Sequence, residues 1–482
     1  MTTPRTQADS AGSDKAPAGT AMALAAAYRA GAADPLAVVE QALARAADPA
    51  ARHVFITLTA ARARAEAAAS ARRYRAGVPR GPLDGVPVSW KDLFDVAGTP
   101  TTAGSATRRD AAPADADAPC VARLAAAGAL CVGKTNLTEF AFSGLGLNPH
   151  FGTPANPFGQ GGGQGSAQGG VRIPGGSSSG AAVSVALGIV AVAMGTDTSG
   201  SIRIPAAFNG LAGFRPSGGR YPAAGVFPLS ERLDSVGTIA RTVTEIRLVD
   251  RALTGIAVAD APPPPALVVA DGILLQDLAP DVAAVFEDGV RRLEQAGIPV
   301  RRRRVEAVEA AHRLMVEYGT IVAADAYRLH RSRLDGADAP RLDPRVRQRL
   351  ALGAALSAAT YDRLVRERGR LAAQAAAELE GAALLCPTVA HTAPLLAPLE
   401  RDDALFLQTN ARTLRNTMIG SFLDLPGLSL PAGIGDCGLP VGLLVSQRSG
   451  SDDTLLGWGE TARRWLAGKA PPAASPIGSP PE

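Results

Sequence analysis

Apolar positions along this chain follow two alternating rhythms. Over Thr20–Arg29, Pro35–Ala46 and Ala60–Arg75 they recur at helical spacing. Asp34 stands before Pro35, the arrangement of a side-chain cap followed by a first-turn proline. Between such segments lie short, largely apolar runs of strand length: Val86–Trp90, Ala129–Val132, Ala266–Ala270, Leu384–Thr388, Leu428–Pro431 and Val441–Val445, with Val300–Arg303 a further strand candidate. Gly133–Asn136 reads as the turn after the second of these. Further helices are predicted over Cys120–Ala127, Leu137–Phe142, Thr244–Leu253, Val282–Ala296, most of 306–380, and Asp453–Trp465. Strands that alternate with helices predict a layered α/β fold.

Gly175–Pro216 breaks the alternation. A Gly/Ser loop, Gly175–Gly180, leads into a 14-residue apolar run, Ala181–Met194. A second small-residue turn, Gly195–Ser201, then precedes Ile202-Arg203-Ile204-Pro205. Loops of this composition let backbone N–H groups approach a ligand closely, and the serines in them are candidate nucleophiles. The apolar run is too short to span a bilayer. The polar segment 1–18 has no apolar core and reads as disordered rather than as a secretory signal; the Pro/Ala/Ser-rich tail 468–482 also reads as disordered.

Composition narrows the function classes. The chain has 482 residues, with 49 Lys and Arg against 45 Asp and Glu, a net charge of +4 that gives no nucleic-acid footprint. Its densest basic run, Arg301–Arg304, reads as a solvated strand end. Four cysteines without CxxC spacing read as reduced thiols of a cytoplasmic protein, and five histidines show no metal-ligand spacing.

Two motifs compete for attention. GALCVGKT, Gly128–Thr135, fits the phosphate-loop pattern, yet its interior has strand character and cannot wrap a phosphate. Gly176–Gly180 fits the GxSxG nucleophile elbow, yet a Gly-rich loop and Pro174 stand where a strand is required; His312, His330 and His391 lack distinctive context. A third reading uses Lys91 at a strand end, Ser177 in the first loop and Ser201 in the second. A buried lysine with a depressed pKa could take a proton from Ser177, which takes one from Ser201. The turn before Ser201 could direct successive N–H groups at an oxyanion.

These residues stand in blocks that resemble the amidase signature family. The stretch GGSSSG through GTDTSGSIRIPAAFNGLAGFRPS is similar to the signature itself and GVPVSWKD to the family's lysine strand. GKTNLTEFAFSGLGLNPHFGTPANP, LDSVGTIARTV, LLCPT and the late LPGLSLPAG and GLPVGLLV blocks resemble flanking segments, so the likeness spans roughly residues 20–466. It implies one large α/β/α domain over 19–467, with a central mixed sheet covered by helices on both faces. It also implies hydrolysis of amide C–N bonds, with aryl amides or carbamates as further substrates, through an acyl-enzyme and without metal or cofactor. Ser201 is then the nucleophile, Ser177 the serine with a cis peptide bond and Lys91 the base. Thr198, Ser199 and Gly200, with Ser201, would supply the oxyanion hole; Asp197 and Arg203 would hold that turn through a buried charge pair; Ala141, Phe142 and Ser143 would line the acyl pocket.

One departure is the Gly-rich stretch 159–171, where relatives have a shorter link. It reads as a surface loop, with a mobile lid over the pocket as the alternative. The expected partner is a small amide or carbamate, with no nucleic acid or membrane and a monomer or homodimer as the assembly. The rival functions are a glutaminase subunit of a tRNA-dependent amidotransferase and a nucleotide-binding protein using Lys134.

Overall fold

The computed structural model describes residues 19–159 and 170–467. The expectations for 1–18, for 468–482 and for most of the glycine-rich stretch lie outside them. Eleven strands are described: β1 (Phe55–Leu58), β2 (Pro87–Lys91), β3 (Leu130–Thr135), β4 (Val192–Asp197), β5 (Ala212–Arg215), β6 (Ser235–Ala240), β7 (Leu267–Ala270), β8 (Val300–Arg303), β9 (Ala383–Pro387), β10 (Gly427–Ile434) and β11 (Pro440–Ser446). They form one mixed sheet in the order β1-β3-β2-β4-β6-β5-β10-β11-β9-β7-β8. The family-implied mixed sheet is therefore what the chain builds.

Side-chain alternation on the central strands explains why both faces are covered. Leu130 and Val132 of β3 and Ala193 of β4 pack with helices Pro35–Ala46, Ala60–Arg75 and Ser179–Ala186. Cys131, Val192 and Met194, on the opposite face, pack with helices Pro119–Ala126 and Val243–Thr254. Asp34 caps as predicted, its carboxylate accepting from the Leu36 N–H at 2.8 Å. Three residues of the basic run Arg301–Arg304 lie on edge strand β8 and Arg304 follows it; Arg301 pairs with Glu380, Arg302 with Glu287 and Arg304 with Glu306, and a charged edge resists pairing with other sheets.

Two local expectations are corrected, and one apolar run is resolved into its parts. Gly133, Lys134 and Thr135 belong to β3 and do not form a turn. Leu137–Phe142 is not a helix: only Glu139–Ala141 makes a single 3-10 turn, with Phe140 and Ala141 at φ of 51° and 61°. The apolar run Ala181–Met194 is two elements, the helix Ser179–Ala186 and strand β4, because a loop through Gly188, at φ 69°, reverses the chain between them.

The topology places the two loops of the Gly175–Pro216 stretch at one sheet edge. β2 runs parallel to both β3 and β4, with Lys91 opposite Thr135 and Trp90 opposite Met194. The carboxyl ends of three neighbouring parallel strands thus open on the same side, the place where α/β sheets present ligand sites.

Candidate active site

Lys91, the last residue of β2, is fully buried. Its Nζ donates to Ser177 Oγ at 2.8 Å and to Thr196 Oγ1 at 2.9 Å. Burial pushes the ammonium from an ordinary value of 10.5 down to about 7, against the opposing attraction of Asp234 and Asp197. At neutral pH a large share of Lys91 is therefore a free amine. The Gly176–Ser177 peptide bond is cis.

A buried charge pair and two threonines organise the second loop. Asp197, at the end of β4, is fully buried and forms a two-armed pair with Arg203: Oδ2 accepts from Nε and Oδ1 from Nη2, each at 2.9 Å. Burial raises the Asp197 carboxyl, but the charge and hydrogen bonds of Arg203, with help from Arg215, outweigh it and hold the group at about 2. Thr417 Oγ1 donates to the Ser199 carbonyl at 2.6 Å, and Thr198 Oγ1 donates to Asp234 at 2.5 Å. Gly200, at φ 132°, has no room for a side chain: a Cβ would stand 2.2 Å from Thr417 Oγ1.

The Gly200 amide departs from expectation. It donates to Asp197 Oδ1 at 2.7 Å, which takes it out of the set of free donors. The amides of Thr198, Ser199 and Ser201 have no hydrogen-bond partner among the described residues. The loops abut where the Ser178 N–H donates to the Ser201 carbonyl at 3.2 Å. Ser177 lies beneath the surface, whereas Ser201 lines a cavity of about 520 Å³ together with Thr198, Ser199, Ala141, Phe142 and Ser143. The structure thus brings all the sequence-assigned residues to one region, with Asp197 and Arg203 behind the turn.

The competing motifs resolve differently. Lys134 is buried in an ion pair with Asp92 at 2.6 Å and donates to the Pro100 carbonyl and Thr101 Oγ1. Its stretch is strand and offers no loop to phosphate. Among the described residues no histidine hydrogen-bonds Ser178 or Ser201: His391 bonds Thr392 and Thr413, and His330 stacks on Phe140. His312 lines the cavity without such a bond.

Sequence reasoning missed Thr196, Asp234, Thr417 and Asn410. Asn410 Oδ1 accepts from both Ser143 Oγ, at 3.0 Å, and the Gly144 N–H, at 2.8 Å. Thr196 and Asp234 stand inside the family-like blocks and could have been found there. Asn410 and Thr417 lie on helix Asp403–Phe422, which carries buried Asn and Thr rather than a clean apolar stripe.

A family model described as Amidase matches residues 37–456. The chain belongs to the amidase family. It is 36% identical over 416 residues to a 2-amino-5-chloromuconic acid deaminase of Comamonas testosteroni, covering 84% of this chain and 87% of that protein. A mandelamide hydrolase of Pseudomonas putida is 33% identical, covering 87% and 86%. One subunit of the glutamyl-tRNA(Gln) amidotransferase from a Cyanothece strain is 31% identical, covering 81% and 86%. Among solved structures, one described as an amidase superposes with a TM-score of 0.81 at 33% identity, covering 93% of this chain and 99% of that one. Hydrolysis of amide C–N bonds is the chemistry of this family and of this chain. No helix among the described residues is long and apolar enough to cross a membrane, and no cluster of His, Cys, Asp or Glu among them could hold a metal ion.

Proposed function

We propose that this amidase cleaves small amides through an acyl-enzyme on Ser201, with Ser177 and Lys91 as the proton relay. The observation that carries the reading is the fully buried Lys91 amine, poised near neutrality and hydrogen-bonded to Ser177 Oγ. A serine hydroxyl attacks only when a base takes its proton. Neutral Lys91 takes the proton of Ser177, which takes that of Ser201 as its Oγ bonds to the carbonyl carbon. Ser201 Oγ makes no hydrogen bond among the described residues, and such catalytic contacts are often long until substrate binds. The oxyanion is received by the free amides of Thr198, Ser199 and Ser201, and Asp197, with Arg203, fixes the turn that aims them. The proton returns along the relay to the departing amine. Water then releases the acid by the same path.

Ala141, Phe142 and Ser143 form the acyl side of the cavity, which has space for an aryl or branched acyl group. Carbamates fit the same tetrahedral chemistry. The enzyme acts as a cytoplasmic monomer or homodimer. Ser201→Ala tests the core of the reading: amide hydrolysis should vanish with the melting temperature unchanged, and near-full activity would refute it. A glutaminase component of an amidotransferase is the second reading, supported by the 31% identical relative of that kind; activity restricted to glutamine together with a co-purifying partner chain would select it.

A further inference from the structure

Arg349 has no counter-charge among the described residues. It lies on helix Pro344–Ala354 and its side chain lines the same cavity as Ser201. The guanidinium stacks over the Phe142 ring, with Cζ 4.4 Å from the centroid. It makes no ion pair or hydrogen bond among the described residues, and its Nε is buried without a partner. One turn away on that helix, Arg345 shows the usual arrangement, paired with Asp343 at 3.0 Å. Burial lowers the Arg349 guanidinium to about 10, which leaves it charged at neutral pH. The side chain is half-buried, and its dry, unpartnered Nε is costly unless something completes it.

The surroundings have the same sign. Arg412 and Arg415 line the cavity from helix Asp403–Phe422 and donate to the main-chain carbonyls of Asp277 and Gln276, with no carboxylate paired to either among the described residues. Asp277 is the one carboxylate among the lining residues described. The rest of the wall is largely apolar, which strengthens the field of these cations inside.

We infer that Arg349 is a specificity residue that binds a carboxylate carried on the acyl side of the substrate, so that the preferred substrates are half-amides of dicarboxylic acids. The inference rests on the amidase reading and deepens it. The planar guanidinium can receive a carboxylate through two parallel N–H···O bonds. Phe142, within the stretch assigned to the acyl pocket, holds the guanidinium plane from one side.

The test uses p-nitroanilides in pairs. Succinyl, glutaryl and adipoyl anilides carry the carboxylate at graded reach, and each has a neutral methyl-ketone partner of the same length. Wild-type enzyme should prefer at least one acidic member by roughly 10- to 100-fold in kcat/KM, the range of a charged hydrogen-bonded contact. In Arg349→Met that preference should disappear through KM, with the neutral partner changed less than about threefold. Arg349→Lys keeps a cation and should retain part of the preference; it also reads the outcome if the methionine variant folds poorly. Equal losses on both members would mean that Arg349 only props Phe142, and a wild type indifferent to the carboxylate would overturn the inference directly. Calorimetry of glutarate on Ser201→Ala protein separates the two readings. Arg349-dependent binding without hydrolysis of any anilide by the wild type would sink the amidase mechanism alone; hydrolysis without glutarate binding would sink the carboxylate site alone.

Discussion

Replacing Lys91 by Met probes the relay through stability as well as rate. The folded chain holds this ammonium at about 7 and the unfolded chain at 10.5. At about 1.4 kcal/mol per pH unit, that gap makes the protonated form of Lys91 cost the folded state about 5 kcal/mol. Between these values the unfolded chain binds the extra proton, so stability rises with pH; below about 7 both states are protonated and the full penalty applies. Lys91→Met has no such group, and its stability should lack this rise. The difference in unfolding free energy, wild type minus variant, should therefore climb by about 2.3 kcal/mol between pH 7 and pH 9. All other titrating groups, Lys134 included, largely cancel in that difference. Urea unfolding of both proteins at half-unit pH steps measures it. In parallel, kcat/KM of the wild type should rise with pH through an apparent pKa near 7, and the variant should lose roughly 100- to 10,000-fold in activity, the range of a general base. A stability difference flat across this pH range, or an activity limb near pH 10, would show that Lys91 is an ordinary ammonium and cannot serve as the base.

Other perturbations address the frame around the relay. Arg203→Met leaves the Asp197 carboxylate buried without its two-armed partner and should destabilise the chain by about 3–5 kcal/mol in urea unfolding; a loss under about 1 kcal/mol would show that the pair is dispensable. Gly200→Ala forces a Cβ against Thr417 Oγ1 at a φ that side chains rarely adopt, and should abolish hydrolysis at saturating substrate; retained kcat would mean that the turn tolerates remodelling. Lys134→Met should destabilise by about 3–5 kcal/mol by stranding Asp92, and the wild type should show no heat on ATP titration; nucleotide binding lost with Lys134 would revive the phosphate-loop reading.

Local chemistry made part of this protein legible from its residues. The cap at Asp34, the strand character of Val300–Arg303 and the two serine loops depend on neighbours in sequence, so they could be read without the fold. Lys91, Ser177, Ser201, Asp197 and Arg203 were legible because they sit in family-like blocks whose spacing is fixed by the chemistry. The helix Asp403–Phe422 was not, because its inward residues include Asn410, Asn416 and Thr417, which break the apolar rhythm that marks a buried face. Residues 137–142 misled for a related reason: the composition suits a helix, but Phe140 and Ala141 take left-handed backbone conformations within packed surroundings.

The sequence by itself determined which side chains could carry a relay and which loops could present amides, since those depend on residue type and close neighbours. Only the tertiary structure decided that Lys91 is dry enough to lose its proton near neutrality, and that Arg349 faces the cavity with no acid paired to it among the described residues. Each is a matter of what lies across space. Lys91 is desolvated by strands and loops distant in the chain, Ser177 and Thr196 among them. Arg349 reaches the cavity of Ser201 from a helix far along the chain.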